Sequence, residues 1–491
     1  MQFSDIPALE GGKPYTGHFD MLNHQRLEMM AELAASRRDV TRLRFPGQWI
    51  VAVNGAEVLE EVLVSKAKSF EKSPVLRTAL HPLAGDGLFT SEGELWRRQR
   101  KLMSPMFRVK EIHRYAAAMA ECAERGAASF RDGEVIDAAR ETTRIAMSVA
   151  GKTLFDADTF SEADELGAAL TTALTWANEQ ISSPVLIAQA RLKTFFMVKG
   201  YEAPEPVAGW CRQLADKLHP PVILPGPRRD ALRDALKVLE ARVDHMIAAR
   251  RAAAEPPPDL LTQLLAARDE DGDAMSDRQV RDEILTLFVA GHETTASGLA
   301  WALYYLAKAP AIYGEVEAEV DRLRGEHITF HDVAALPLCS QVFKEALRIQ
   351  APIYLYGRQA IEPVTIGGYE LARGTIVLVS PWAVHRRPDY WPEPEVFRPS
   401  RFSAEEEQAR PRGAYLPFSD GPRTCIGNHF ALLEGPIVLA TLLRRARFTL
   451  VGDAEVEPEA GATLRPGGVP LRVELRPSAA KMVTEQSRSF R

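Results

Sequence analysis

Apolar positions recur at helical spacing through most of the chain and at strand spacing only in short stretches. Between about 92 and 300 the helical pattern dominates, with Ala-rich segments at 114–130 and 228–253. In the second, Leu232, Leu236, Leu239, Val243, Met246 and Ile247 keep helical spacing after a Pro-Gly-Pro turn at 225–227. A long helix is predicted over 276–308. Residues 45–64 read as a short strand, a turn at Asn54-Gly55 and a helix. Strand character returns in 363–380, a predicted hairpin turning near Gly367-Gly368. A Pro-rich irregular stretch, 381–422, then leads to a final helix beginning near Cys425. Helices far outweigh strands and no linker divides the chain. The pattern therefore predicts one domain over 1–478, mainly α with a small β region. Residues 479–491 are polar and are expected to be disordered.

Composition narrows the class. A hydrophobic fraction of 46% with 26% charged residues is that of a soluble globular protein. A formal net charge of -6 offers no overall attraction to nucleic acid, and no nucleic-acid partner is expected. The N-terminus lacks the basic start and apolar run of a signal peptide. No stretch of about 18 uncharged apolar residues occurs, so no transmembrane anchor is predicted. Cys122, Cys211, Cys339 and Cys425 are scattered and form no CxxC pair, which suits a reducing, cytoplasmic location.

One cysteine stands in unusual company, in Phe418-Ser-Asp-Gly421-Pro-Arg423-Thr-Cys425-Ile-Gly427. A cysteine just before a helix gains from free backbone N–H groups and the positive dipole end, both of which favour thiolate. Gly421 and Gly427 permit turn geometry and close approach of the backbone to a flat ligand. Phe418 can shield the sulfur from water, and Arg423 can pair with a carboxylate. For an arbitrary cysteine a buried free thiol is the ordinary interpretation. Five fixed residue types in the ten positions F-x-x-G-x-R-x-C-x-G override it. This pattern resembles the haem-binding loop of the cytochromes P450. The resemblance implies that Cys425 is the axial thiolate of a haem b iron, within the triangular, mainly α fold of that family.

Two further motifs are similar to the family's. Glu345-Ala-Leu-Arg348 matches its E-x-x-R, whose residues share one helix face. Phe397-Arg398-Pro399-Ser400-Arg401-Phe402 resembles the segment that supplies a second arginine, so the resemblance makes Glu345, Arg348 and Arg401 a structural triad. Ala290-Gly291-His292-Glu293-Thr294-Thr295 lies inside the predicted long helix. Small residues at 290 and 291 let a flat macrocycle approach the backbone. Glu293 and Thr294 match the family's acid–alcohol pair, which relays protons during oxygen activation. Taken alone, this stretch would be a helix whose threonine bonds back to its own carbonyls. HExxH spacing is absent, so His292 is expected to make a local contact rather than bind metal.

Haem carries two propionates, which need cationic or hydrogen-bonding partners. Trp96 and Arg100, from a W-x-x-x-R resembling the family's, take this role with Arg423 and Arg358. Arg97, Arg98, Lys101, Arg108 and Lys110 would form a basic patch for an acidic electron donor. With no flavin or iron–sulfur segment in the chain, the resemblance implies a separate ferredoxin or flavodoxin-type donor with its reductase. It also implies dioxygen and a hydrophobic small-molecule substrate. By position, pocket candidates are Leu76, Leu83, Leu88, Leu287, Ala290, Gly291, Ile353, Tyr354, Thr463 and Leu464, each of which would serve equally as plain core.

Residues 184–226 exceed the family's usual connection here, and an additional helix over the substrate entrance is expected. The same mix of apolar, aromatic and basic residues would also suit weak contact with a membrane surface. Pro436 is expected to bend the helix after Cys425. The expected activity is insertion of one oxygen atom, by hydroxylation or epoxidation. The alternatives are a peroxygenase, oxidative coupling or desaturation without oxygen insertion, and a non-catalytic haem-binding protein. The first and last have no need for Glu293 and Thr294 together.

Overall fold

The predicted long helix runs Asp277–Lys308 in the computed structural model, which describes residues 1–156, 163–181, 183–218, 226–325, 327–452 and 455–477. The tail expected to be disordered, 479–491, lies outside the described residues. Ser276 caps the long helix: its hydroxyl accepts from the Gln279 N–H, and the Gln279 side chain accepts from the Ser276 N–H at 2.9 Å. The helix is largely buried, as its apolar run requires, but Ala290 near its middle is exposed.

Helices Pro337–Ile349 and Asn428–Arg445 pack against it. Phe343 wedges their junction. A Cβ at Gly298 would come within 3.0 Å of its ring, and one at Gly435 within 2.4 Å, so neither glycine leaves room for a side chain. The cysteine-side helix continues through Pro436 to Arg445.

The main sheet has five strands in the order Val40–Phe45, Gln48–Val53, Ile376–Val379, Tyr356–Ala360, Phe70–Lys72. The predicted hairpin of 363–380 is thereby divided. Val364–Ile366 pairs with Tyr369–Leu371, while Ile376–Val379 lies parallel to Gln48–Val53, Val51 opposite Val377. An apolar alternation marks a strand without naming its partner, which explains the difference. In the last pairing of the sheet, Lys72 stands directly opposite Arg358.

Among the described residues of 184–226 are two helices, Pro184–Glu202 and Val207–Lys217. The first is tied to the sheet, where Gln359 donates to the Thr194 hydroxyl at 3.1 Å and Arg191 donates to the Pro46 carbonyl. Leu192, Phe195, Val207 and Trp210 remain exposed.

Candidate active site

The Cys425 loop is built by a tight turn. Asp420 accepts from the Gly421 N–H at 2.6 Å, and the Cys425 N–H donates to the Phe418 carbonyl at 2.8 Å. Gly421 adopts φ 70°, which explains a glycine, but the backbone it approaches is the protein's own: a Cβ there would lie 1.9 Å from the Leu63 carbonyl oxygen. Gly427 caps the Asn428–Arg445 helix, and its N–H donates to the Cys425 sulfur. Cys425 retains exposed surface although burial raises its thiol pKa, against the pull of the Gly427 N–H and Arg100. Both hold if the sulfur opens on space enclosed by protein.

Beside it lies a cluster of cations. Arg423 donates to Glu92 at 2.7 Å and to the Ala67 carbonyl at 3.1 Å, and its guanidinium sits 4.9 Å from the centre of the Trp96 ring. Lys72 donates to the carbonyls of Leu88 and Ser91 at 3.1 and 2.7 Å. Burial pushes its pKa down to about 7, with Glu92 opposing and Arg423, Arg77 and Arg358 assisting. Burial works against the Glu92 charge, yet Lys72 and Arg423 outweigh it and lower that carboxyl's pKa.

Glu92 does not compensate all of this positive charge. Arg358 is 7% exposed, and its one side-chain hydrogen bond among the described residues is a long 3.4 Å contact to the Gly357 carbonyl. The Arg423 Nε is buried without a partner among the described residues. Half-buried Arg100 makes no side-chain hydrogen bond among them and lies close enough to Cys425 to feel its charge. Like charges opposed across strands and guanidinium groups short of partners are unfavourable unless an anion joins them. The donor set fits a dianionic edge such as that of two propionates.

On the long helix, the Thr294 hydroxyl donates to the Ala290 carbonyl at 2.7 Å. Its oxygen keeps lone pairs with which to accept. Glu293 is half-buried, and its side chain makes no hydrogen bond among the described residues. His292 is buried, bonded through Nδ1 to the Phe288 carbonyl at 2.8 Å, and burial lowers its pKa. A Cβ at Gly291 would meet Ala150 of the neighbouring helix Ala138–Phe155 at 3.8 Å, an ordinary contact. One group had no motif to reveal it. Glu434, buried on the cysteine-side helix, lies beside Thr295 and keeps Oε1 unpartnered among the described residues, and burial raises its pKa well above the usual range, with Thr295 opposing.

Glu345, Arg348 and Arg401 meet in the interior, none more than 1% exposed. Arg348 donates to Glu345 through two nitrogens at 2.7 and 2.9 Å, and through a third to the His385 carbonyl at 2.9 Å. Arg401 places Nε 3.3 Å from Glu345, an ion contact without hydrogen-bond alignment, and donates to the Glu393 carbonyl at 2.7 Å. The basic patch is thinner than its sequence suggests, because Arg98 pairs with Asp269 and Lys101 with Glu270. Arg97, Arg108 and Lys110 stay exposed.

The pocket candidates divide. Leu83, Leu88, Leu287, Tyr354, Thr463 and Leu464 are buried, and the apolar ones join core clusters. Tyr354 is a structural tie, donating to the Gly461 carbonyl at 2.7 Å and accepting from Arg26. Leu76 and Ile353 are half-buried. The exposed apolar residue of the 85–91 loop is Phe89, at 40%, one position beyond the candidate Leu88 at 8%. An irregular loop has no periodicity from which to choose between neighbours.

The family model for cytochrome P450 matches residues 7–469, and the chain belongs to this family. It is a haem-thiolate monooxygenase whose cofactor is haem, iron protoporphyrin IX, and its reaction takes an organic substrate, dioxygen and electrons from redox partners. The chain is 32% identical to cyclooctat-9-en-7-ol 5-monooxygenase of Streptomyces melanosporofaciens, over 95% of this chain and 94% of the relative. Cyclooctatin synthase of the same organism is 31% identical over 94% of each chain. Pentalenene oxygenase of Streptomyces avermitilis is 30% identical over 96% of each. No described helix is long and apolar enough to cross a membrane.

Proposed function

We propose that this monooxygenase hydroxylates or epoxidises a terpene-like hydrocarbon skeleton bearing at most one hydroxyl. Relatives named for pentalenene and for cyclooctat-9-en-7-ol support that substrate class. The observation that carries the assignment of the site is Cys425, exposed and near Arg100, with the cation cluster beside it. Cys425 holds the iron, while Trp96, Arg100, Arg358 and Arg423 hold the propionates. Haem bound through a thiolate supplies O–O cleavage and oxygen insertion.

The chain's own part is to exclude water and to move protons. The Thr294 hydroxyl, anchored on the Ala290 carbonyl, accepts and passes on a proton that Glu293 replenishes from the solvent side. Electrons come from a separate ferredoxin or flavodoxin-type donor at Arg97, Arg108 and Lys110. The exposed Leu192, Phe195 and Trp210 support weak lipid contact by the 184–217 helices in a cytoplasmic protein.

Adding terpene hydrocarbons and their mono-alcohols to the ferric holoprotein is expected to produce a low-spin to high-spin shift. Fatty acids and charged aromatics should give none. A shift confined to the fatty acids would overturn the substrate class. Thr294→Ala is expected to leave haem content unchanged while product formed per electron consumed falls by on the order of tenfold. Unchanged coupling would remove Thr294 from the relay.

A further inference from the structure

The 85–91 loop is held almost completely. Every backbone N–H and carbonyl from Gly85 to Ser91 has a hydrogen-bond partner, except those of Phe89, which have none among the described residues. Two of these bonds come from adjacent carboxyl groups on the long helix. The Asp86 N–H donates to Asp282 at 2.9 Å, and the Leu88 N–H donates to Glu283 at 2.9 Å. Loop and helix also fit flush. A Cβ at Gly85 would lie 2.3 Å from the Asp282 carboxylate, and one at Gly87 would lie 2.2 Å from the Thr286 hydroxyl. Thr286 is one helical turn from Ala290, so the loop docks immediately beside the exposed part of the long helix.

Surface capping does not account for this arrangement. Glu283 is fully buried, its Oε1 has no partner among the described residues, and the charged groups that face it there are Asp282 and Lys72. Burial pushes its pKa up to about 8, so near neutral pH it is an uncharged acid accepting one backbone bond. A buried acid is a costly way to satisfy one N–H, unless the position of that N–H matters.

We propose that Asp282 and Glu283 are positioning residues: they lock the 85–91 loop onto the long helix, so that Phe89 is presented at a fixed place next to Ala290 and limits which ligands fit there. This rests on the assignment of the active site above and adds two residues that set its selectivity without touching substrate.

The test uses the haem-loaded full chain as wild type, Glu283→Gln, Glu283→Leu and Gly87→Ala. Amide hydrogen exchange over 85–91 reads the lock. The ratio of Kd for imidazole and phenylimidazole, followed by absorbance, reads the space beside Ala290. Glu283→Gln keeps an uncharged acceptor and should match wild type in both. Glu283→Leu strands the Leu88 N–H, and Gly87→Ala forces the loop from the other side. Each should speed loop exchange about tenfold and change the Kd ratio at least about fivefold, with imidazole itself little affected. If Glu283→Leu fails to fold, Gly87→Ala decides. An unchanged ratio or unchanged exchange in the altered loops overturns the proposal, as does a Gln variant that behaves like Leu. Absence of the thiolate spectrum in wild type would instead overturn the site assignment.

Discussion

Cys425→Ser is expected to abolish the Soret band near about 450 nm of the reduced carbon monoxide complex, and monooxygenase activity with it. Serine is nearly isosteric, and the turn does not depend on the sulfur. Asp420, Gly421 and the Cys425 N–H to Phe418 bond remain in place, so far-ultraviolet circular dichroism should be unchanged. What is lost is a soft anion. In the wild-type chain, the Gly427 N–H and Arg100 both favour the thiolate, opposing its burial. A serine hydroxyl in the same field would stay protonated, because its proton is far harder to remove than a thiol's, and a neutral hydroxyl is a poor iron ligand. A variant that kept the band would place the iron on another residue.

The second large effect is expected at Glu345. Glu345→Ala removes the one carboxylate shared by Arg348 and Arg401, along with the acceptor of the Arg398 N–H at 2.9 Å. Two buried guanidinium groups would lose their counter-charge, at a cost on the order of 3–5 kcal/mol. Set against a typical total stability of about 5–15 kcal/mol, this should leave little folded holoprotein. Soluble yield, haem content and thermal unfolding measure it together. A variant of normal haem content melting within about 2 °C of wild type would mean that the carbonyls of His385 and Glu393 suffice for the two arginines.

How much of this was legible in the sequence depended on how far apart in the chain the interacting groups lie. Cys425, Phe418 and Gly427 announce themselves because a short loop makes them neighbours, and Glu345 and Arg348 because one helical turn does. Arg401 was reachable through its local segment. Glu92 was not: its partner Arg423 is 331 residues away, and no pattern around Glu92 signals the pairing. Glu283 stands 195 residues from the Leu88 N–H it holds, and its sequence context is that of any polar helix position. Gly421 is legible as a place of close approach, but composition alone does not say what approaches. On the side where its Cβ would lie, it is the protein's own backbone at Leu63. Helix existence and length were readable from periodicity, as with Asp277–Lys308. The partner of strand Ile376–Val379 was not, because pairing is decided by the whole sheet.

The Phe343 wedge has a practical consequence for redesign. Its ring fills the space that a side chain at Gly435 would need and, with Leu347, the space at Gly298, and it sits two positions before Glu345. The long helix, the cysteine-side helix and the triad are therefore indexed to a single part. Library positions near 298, 343 or 435 would move all three at once, and most variants there would be lost before selectivity could be screened. In the 85–91 loop, by contrast, the Phe89 backbone makes no hydrogen bond among the described residues, so residue 89 can be varied without removing the bonds to Asp282 and Glu283. Directed evolution toward bulkier substrates has its productive region in this loop, with the junction left as inherited.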